Sequence, residues 1–388
     1  MESFPPELLA KIFSYLNGKD IASVAQVCRS FYKASVIENI WRTRCAEEFA
    51  VDVSHVGQFV FKDIYTKLLH KYRFYLGLWQ PQVPSYGGLF QVLFDPLLAT
   101  IVGQELLPPR DRITEPLRKK VLFTISLDDE YQVVCLGGYK GPHNAVLHEI
   151  SEDEFVFKCC QTVHHRHPCG RLQELQDWLR EETSVPLERH EFSHSWNPLC
   201  LKFSVLRQLD YEFEYKRVDL QAPLTGVPIQ PGIFKGTYGM HGLELIQLEY
   251  INNCTKLRAC KLSGDPNVPS GKVTFVVALQ HSMVLTAQQQ ASISALNAIE
   301  VRVSDTRYNK PPTPQPFNIP QGCHECFYEI PETCIARYHG MGQVAGHGYR
   351  NPSYSRGHWV VFNEDLFGFL WLELLSLSMF HRVKEDLA

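Results

Sequence analysis

Residues 4–41 read FPPELLAKIFSYLNGKDIASVAQVCRSFYKASVIENIW, and their apolar positions recur at helical spacing. Steps of one, three and four residues are typical of amphipathic helices that bury one face. Three such sets follow one another: Leu8, Leu9, Ile12, Phe13 and Leu16; Ile21, Val24, Val27, Cys28 and Phe31; and Ile37, Ile40, Trp41 and Cys45. Three short helices in about fifty residues form a small core, so we expect this unit to bury an apolar face against another surface.

Composition and length limit the class of protein. The chain has 388 residues and a formal net charge of −4, which favours two or three domains and argues against nucleic acid as a partner. No apolar run is long enough to cross a membrane, and Met1-Glu2 lacks the basic start of a secretory signal. The 12 cysteines are therefore expected to be reduced thiols or metal ligands in an intracellular protein that does not bind membranes.

The remaining chain divides into a helical and a β-rich part. Ile64, Leu68, Leu69 and Tyr72 share one helical face before Pro81, which predicts a helical linker. Short β-type runs follow, separated by Gly, Pro and Asn turns. We predict an α+β protein with a three-helix unit at 1–50, the linker at 51–80, and a large, mostly antiparallel β-barrel at 81–388.

The stretches FPPELLAKIFSYL, VCRSF and IWRTRC resemble an F-box. The resemblance implies docking on the adaptor Skp1, which links F-box proteins to cullin-1 and a RING subunit of a ubiquitin ligase. The positions that match the family pattern are Pro5, Leu8, Leu9, Ile12, Val24, Cys28 and Trp41. Leu8 and Leu9 are expected in the Skp1 contact; the alternative is a helical hairpin that packs only on its own barrel.

YTKLLHKYRFYLGLWQP, YGGLF, FKGTYGMHGLE, GDPN, AGHGY and FGFLWLEL resemble the F-box only protein 31 family. This resemblance implies a noncatalytic substrate receptor, found in cytoplasm and nucleus, with roles in the cell cycle and the DNA damage response. It also implies substrates that are D-type cyclins or proteins with a modified, amidated C-terminus. The barrel would hold the C-terminal degron while partner subunits transfer ubiquitin.

A Cys/His-rich region predicts a metal site. Cys135 and His143 flank one turn, while Cys159 and His165 flank the next, so two hairpins could supply a tetrahedral zinc. Four protein ligands would close the site and make it structural. Spacing alone leaves His164 and Cys160 open as ligands, and scattered histidines and buried thiols remain the alternative. The family resemblance implies such a zinc site and matches the four residues named first.

A second candidate site lies around CKLSGDPN, where Lys261 and Asp265 flank a probable turn. The resemblance places this segment at the pocket for a substrate's C-terminal end, where Asp265 is expected to distinguish a carboxamide from a carboxylate. A surface ion pair is the alternative. Glycine-rich stretches around Tyr238, His241 and His347 either open the barrel rim to a ligand or form tight hairpins.

No nucleophile motif, phosphate-binding loop or dinucleotide fingerprint occurs in the sequence. We therefore expect no enzymatic activity. The rival hypothesis is a metal-dependent enzyme or a small-ligand-binding barrel that uses the His/Cys cluster. Three protein ligands plus a water would favour that rival, whereas four would oppose it.

Overall fold

A computed structural model of the protein describes residues 4–51, 59–127, 132–183, 196–299, 314–323, 329–385 and 387. It consists of a helical unit followed by two closed, antiparallel eight-stranded β-barrels. The predicted α+β class with an antiparallel barrel is confirmed. Among these residues, no helix is both long enough and apolar enough to span a membrane.

The first fifty residues form four helices where the sequence predicts three. They are α1 (Pro6–Phe13), α2 (Gly18–Val24), α3 (Arg29–Ser35) and α4 (Glu38–Phe49). The difference arises at Cys28, whose backbone is extended with φ −160° and ψ 166°. Because an extended residue cannot continue a helix, the second apolar set is divided between α2 and α3.

A further helical stretch follows at residues 61–72. It comprises α5 (Phe61–Asp63), a π-helical turn (Ile64–Leu69) and α6 (His70–Tyr72). Its Tyr65 ring lies 5.1 Å from the Trp41 ring, centroid to centroid, and thus completes the core of the helical unit. The first strand begins at Gly77, within the 51–80 segment for which a helical linker is predicted.

The first barrel closes because its last strand pairs with its first. The strands are β1 (Gly77–Pro81), β2 (Leu89–Asp95), β3 (Thr100–Leu107), β4 (Arg118–Ser126), β5 (Val133–Cys135), β6 (His143–Ser151), β7 (Glu154–Cys159) and β8 (Glu212–Arg217). Helices α7 (Arg171–Glu182) and α8 (Trp196–Gln208) connect β7 to β8. Aromatic side chains such as Trp79, Phe123 and Phe155 fill the interior.

The second barrel closes where β18 pairs with β9. Its strands are β9 (Gly232–Thr237), β10 (Leu243–Ile251), β11 (Lys256–Lys261), β12 (Val273–Ser282), β15 (Ala336–Gly346), β16 (Arg350–Val361), β17 (Leu366–Trp371) and β18 (Ser376–Arg382). Between β12 and β15 lie α9 (Ala287–Gln290), α10 (Ile293–Asn297) and a small β13–β14 pair (Gln315–Pro316 and Thr333–Cys334). The single large barrel of the sequence prediction is thus two barrels in succession.

An apolar cluster joins the two barrels. It combines side chains from the first, Leu78, Leu89, Leu106, Leu117 and Val218, with Ile233, Leu245, Leu262 and Val383 from the second. Gln80 Nε2 also donates a hydrogen bond to the Leu262 carbonyl at 2.8 Å. The first barrel therefore fixes the segment that follows Lys261, where the candidate binding residues lie.

Candidate functional site

A pocket of about 710 Å³ opens at one end of the second barrel. Its walls come from the ends of β9, β11, β15, β17 and β18 and from the loop after β11. Arg110 and Asp111, from the β3–β4 connection of the first barrel, complete the lining. A cavity with apolar walls and a few convergent polar groups is the usual form of a binding site.

Four of the five residues predicted to bind substrate line this pocket: Tyr238, His241, Lys261 and Asp265. The fifth, His347, is exposed in the β15–β16 turn and is not part of the lining. Its strand neighbour Ala345 does line the pocket. The structure thus brings together predicted residues from two separate sequence motifs and leaves His347 outside the pocket lining.

Lys261 is a fully buried cation held between two carboxylates. Its Nζ lies 2.5 Å from Asp265 Oδ2 and 2.7 Å from Glu244 Oε2. The same Nζ lies 4.1 Å from the centroid of the Tyr238 ring. A buried charge requires such compensation, because desolvation without a partner costs several kcal/mol. The positive charge of Lys261 is therefore largely neutralised within the protein.

Burial and charge shift the pKa values of this cluster in different directions. Burial, together with the charge of Asp265, raises the pKa of Glu244 to about 8 despite the opposing effect of Lys261. For Asp265, burial is outweighed by the charge and hydrogen bond of Lys261 and by His241, which hold its pKa below the ordinary value. Burial lowers the pKa of His241. Near neutral pH Asp265 is therefore the ionised partner of Lys261, while Glu244 retains a proton.

The second oxygen of Asp265 is also engaged within the protein. Asp265 Oδ1 accepts hydrogen bonds from the backbone N–H of Asn267 at 2.6 Å and of Val268 at 3.0 Å. This is the arrangement by which an Asp side chain stabilises its own turn. The structure therefore gives Asp265 a role in holding Lys261 and the loop, rather than a free carboxylate for a ligand.

Among the pocket residues that sequence analysis did not predict are Arg110, Gln343 and Trp371. Trp371 lies within FGFLWLEL, and its ring occupies the space where a side chain at Gly342 would lie. Arg110 reaches the pocket from the other barrel and donates from Nε to the Glu181 carbonyl at 2.9 Å. The packing of the two barrels brings Arg110 to the pocket, and closure of the second barrel brings Gln343 of β15 and Trp371 of β17 together there, so no local spacing could have predicted the set.

Cys135, His143, Cys159 and His165 form a buried cluster whose ligand atoms all lie within 4.8 Å of one another. His143 Nε2 is 3.0 Å from both Cys159 Sγ and His165 Nε2, and Cys135 Sγ is 3.6 Å from His165 Nε2. Tetrahedral zinc requires ligand separations of roughly 3.3–3.8 Å, given its bond lengths to nitrogen and sulfur. The 3.6 Å pair lies within this range and the two 3.0 Å pairs are slightly shorter, so the predicted cluster is assembled and could hold a metal ion after small side-chain shifts.

Contacts around the cluster orient its histidines. His143 Nδ1 is 2.9 Å from the Gly141 carbonyl, which leaves Nε2 facing the other ligands. The His165 ring stacks on Tyr211, with 3.6 Å between centroids.

Burial raises the pKa of Cys135 to about 12 and lowers that of His165 to about 4. If all four residues bound one ion, they would leave no position for a water, which is the arrangement that the rival enzyme hypothesis does not expect.

The predicted adaptor-binding residues of α1 lie on two different faces. Leu8 is 49% exposed and Ile12 is 47% exposed, and both line a shallow groove with Phe4, Lys11 and Tyr15. Leu9, by contrast, is 0% exposed. Direct contact is expected from sequence for both Leu8 and Leu9, but the structure places Leu9 inside the helical core because the helix buries that face.

The other residues predicted to bind the adaptor also differ in how far they are exposed to solvent. Pro5 is exposed, Val24 and Cys28 are half-buried, and Trp41 is buried. The Trp41 indole Nε1 donates to the Ser35 carbonyl at 2.8 Å, which fixes α3 against α4. Leu9 and Trp41 can therefore support a docking surface from beneath, whereas Pro5, Leu8 and Ile12 can contact a partner.

Two known protein families match separate parts of this chain and indicate its class. The F-box-like family matches residues 1–47, and the family described as the Cyclin D1 binding domain matches residues 215–386. The chain is thus an F-box protein whose second barrel resembles a substrate-binding domain.

Similar proteins that align with nearly the whole chain identify the family to which it belongs. F-box only protein 31 of Rattus norvegicus is 37% identical over 432 residues, covering 98% of this chain and 84% of the rat protein. The Homo sapiens protein of that name is 35% identical over 98% of this chain and 82% of its own length. F-box only protein 31-B of Xenopus laevis is also 35% identical, over 98% of this chain and 83% of its own. This chain belongs to the F-box only protein 31 family of F-box substrate receptors.

Proposed function

We propose that this chain is the substrate-recognition subunit of an SCF-type ubiquitin ligase, acting in the cytoplasm and nucleus. The observation that carries the proposal is the separation of two surfaces in one molecule. An exposed apolar groove lies on α1, and a deep pocket lies at the far barrel. A receptor that joins a ligase to a target converts ubiquitin transfer into an effectively intramolecular reaction.

The α1 groove would dock on Skp1, which would bring cullin-1 and its RING subunit. The groove offers about 280 Å³ between exposed apolar side chains, and its neighbours Leu9 and Phe13 are buried. The buried face of α1 packs against α3 and α4 and belongs to an apolar core that needs no partner to cover it. The outer apolar face of α1, with Leu8 and Ile12, is therefore not needed for the core and remains exposed to solvent. An exposed apolar patch of this kind is typical of a docking site.

The pocket would receive the C-terminal end of a substrate. Its volume of about 710 Å³ can accommodate a terminal residue, and Leu243, Val268 and Trp371 provide apolar contact beside the Lys261 cluster. We propose two substrate classes: D-type cyclins, which agrees with the family match of residues 215–386, and proteins with an amidated C-terminus. A pocket whose cation is already neutralised by the Asp265 carboxylate suits a neutral terminal group.

The buried Cys/His cluster would hold one structural zinc. Zinc is the metal that two thiolates and two imidazoles in tetrahedral arrangement prefer. Its ligands come from β5, β6, β7 and the turn after β7, so the bound ion would tie two hairpins of the first barrel together. Its contribution would be to folding rather than to chemistry.

The proposal is tested by co-purification of Skp1 with purified, folded variants. Leu8→Ala combined with Ile12→Ala should abolish capture, because truncating buried anchors typically costs on the order of 2 kcal/mol or more each. The matched control is Leu97→Ala with Leu98→Ala, two exposed leucines of the first barrel outside the groove. Undiminished Skp1 capture by the α1 double variant would refute the assignment.

A further inference from the structure

Tyr211, in the connection between α8 and β8, contacts two of the four residues in the buried Cys/His cluster. Its ring stacks on the His165 imidazole, with 3.6 Å between centroids and 17° between the planes. Its backbone carbonyl accepts a hydrogen bond from the Cys159 N–H at 3.1 Å. A residue that is not itself a metal donor thus lies against one imidazole and one thiol residue of the cluster.

The backbone of Tyr211 adopts a conformation that is unusual for a large side chain. Its φ is +62°, and the preceding Asp210 has a φ of +45°. A bulky residue in this left-handed region is an outlier, and such strain persists where the surrounding contacts determine the conformation. The contacts of the Tyr211 side chain therefore have to hold it in place.

The two histidines of the cluster differ in how their rings are oriented. His143 Nδ1 is 2.9 Å from the Gly141 carbonyl, which is the usual way to orient a histidine that binds a metal. Among the described residues, none forms a hydrogen bond with His165 Nδ1. Instead, a Cβ at Gly138 would lie 3.2 Å from that nitrogen, and Tyr211 covers the face of the ring. The orientation of His165 thus depends on packing.

Arg207, on α8, holds the Tyr211 side chain. Its Nη1 donates a hydrogen bond to the Tyr211 hydroxyl, and its guanidinium carbon lies 5.5 Å from the ring centroid. Arg207 Nε is 3.4 Å from Oε2 of Glu174, a residue of α7 that is only 1% exposed. The other oxygen of Glu174 accepts from the His167 backbone N–H at 2.9 Å. Two helices and the turn that contains His165 are therefore joined through one buried ion pair.

We propose that Tyr211 is a positioning residue of the metal site, whose ring orients the His165 imidazole while Arg207 and Glu174 hold that ring. The inference rests on the proposed binding of zinc by the cluster. Stacking limits rotation of the imidazole, so Nε2 stays directed at the other three donors. Partners that orient a ligand typically change metal affinity 10- to 100-fold, so loss of the ring should release the ion faster.

The test uses the full chain loaded with Co²⁺, whose visible absorption reports tetrahedral coordination, and measures release of the ion to excess EDTA. Tyr211→Leu should weaken the absorption band and release Co²⁺ roughly tenfold faster than the wild type. The matched control is Phe94→Leu, which removes another half-buried ring that packs on the core of the first barrel. The control should keep the wild-type spectrum and release rate.

Arg207→Met tests the support of the ring. If Arg207 acts through the Tyr211 hydroxyl, Arg207→Met and Tyr211→Phe should each accelerate release, and the double variant should be no faster than the faster single variant. Additive effects would show that Arg207 acts independently of Tyr211 and would overturn its assigned role. These variants retain the aromatic ring, so they also test the inference if Tyr211→Leu does not fold.

Equal acceleration of release in Tyr211→Leu and Phe94→Leu, with equally lowered melting temperatures, would mean that general destabilisation frees the ion, and would overturn the inference. A folded Tyr211→Leu chain with the wild-type spectrum and release rate would also overturn it. A folded wild-type chain that binds neither zinc nor cobalt would instead refute the proposed metal site, and this inference with it.

Discussion

Lys261 shows how one residue determines the chemistry of the pocket. It is buried, it faces Glu244 and Asp265, and the two carboxylates differ in their pKa values. Two carboxylates beside a single cation cannot both ionise without repulsion, so the proton remains on the more deeply buried Glu244. This arrangement keeps the pocket wall close to neutral.

Glu244 should make stability depend on pH. Its pKa rises from an ordinary 4.5 to about 8 in the folded chain, so between these values the unfolded state loses the proton first. The free energy of unfolding should therefore fall as pH rises from about 5 to 8. Glu244→Gln should flatten this slope in urea unfolding, while Glu373→Gln, an exposed control, should retain it. An unchanged slope in Glu244→Gln would contradict the raised pKa.

Asp265→Asn should act on the whole pocket. Removing the charge breaks the Lys261–Asp265 ion pair and also removes one cause of the raised Glu244 pKa, so Glu244 should ionise and become the remaining partner of Lys261. The loss of one buried ionic hydrogen bond should cost about 1–3 kcal/mol of stability. Amide and acid peptides should both bind more weakly, with their affinity ratio nearly unchanged. If the variant lost only its preference for the amide peptide, with no change in melting temperature, Asp265 would instead contact the C-terminal group of the peptide directly.

At the scale of elements, α1 presents two apolar faces with different roles. Leu9, Ala10 and Phe13 are buried, while Leu8 and Ile12 remain exposed. Apolar periodicity in the sequence predicts the helix but does not separate these faces, because both are equally apolar. The distinction depends on α3 and α4, which pack against only one of them; the Phe13 ring, for example, lies 5.4 Å from the Phe31 ring of α3, centroid to centroid.

Leu9→Ala and Leu8→Ala should therefore fail in different ways. Leu9→Ala leaves a cavity in the helical core and should lower the free energy of unfolding by about 2–5 kcal/mol. Leu8→Ala should leave stability within about 0.5 kcal/mol of the wild type, yet weaken Skp1 capture. Denaturant unfolding and quantitative pull-down on the same preparations measure both effects. Equal destabilisation by the two variants would contradict the division of α1 into a core face and a docking face.

The hairpins of the first barrel should depend on a metal. The purified chain should contain one zinc, and chelation should lower its melting temperature, because the bound ion contributes to folding. His165→Ala should lose the metal, whereas the neighbouring His164→Ala should keep it. Elemental analysis of folded protein is the measurement. A folded wild-type chain without stoichiometric zinc would refute the site, and metal loss confined to His164→Ala would move the ligand by one residue.

The sequence predicted the donors of the metal cluster but could not choose between His164 and His165. That choice depends on Tyr211, nearly fifty residues away, against which the His165 ring stacks. Similarly, the β-type runs predicted antiparallel pairing, but not that β8 closes on β1 and β18 on β9. The local sequence pattern indicates which residues form strands. Closure of each barrel depends on pairing between strands that are far apart in the sequence, which the local pattern does not show.

At the scale of the whole molecule, the first barrel connects the two functional ends. Ala99 of the β2–β3 turn packs in the core of the helical unit, and Leu78 and Leu106 pack against the second barrel. The β3–β4 connection also contributes Arg110 to the pocket. The pocket is therefore not confined to residues 215–386, which alone match the Cyclin D1 binding domain family.

The central claim is that one chain links a ligase adaptor to a substrate end, and a bridging capture tests it most directly. Beads that carry an amidated C-terminal peptide should retain Skp1 and cullin-1 only when this chain is added. The Leu8→Ala, Ile12→Ala variant should stay on the beads without Skp1. His241→Trp, which fills the partly exposed pocket mouth, should remove the chain and Skp1 together. Equal Skp1 retention with the wild type and with both variants would contradict the account.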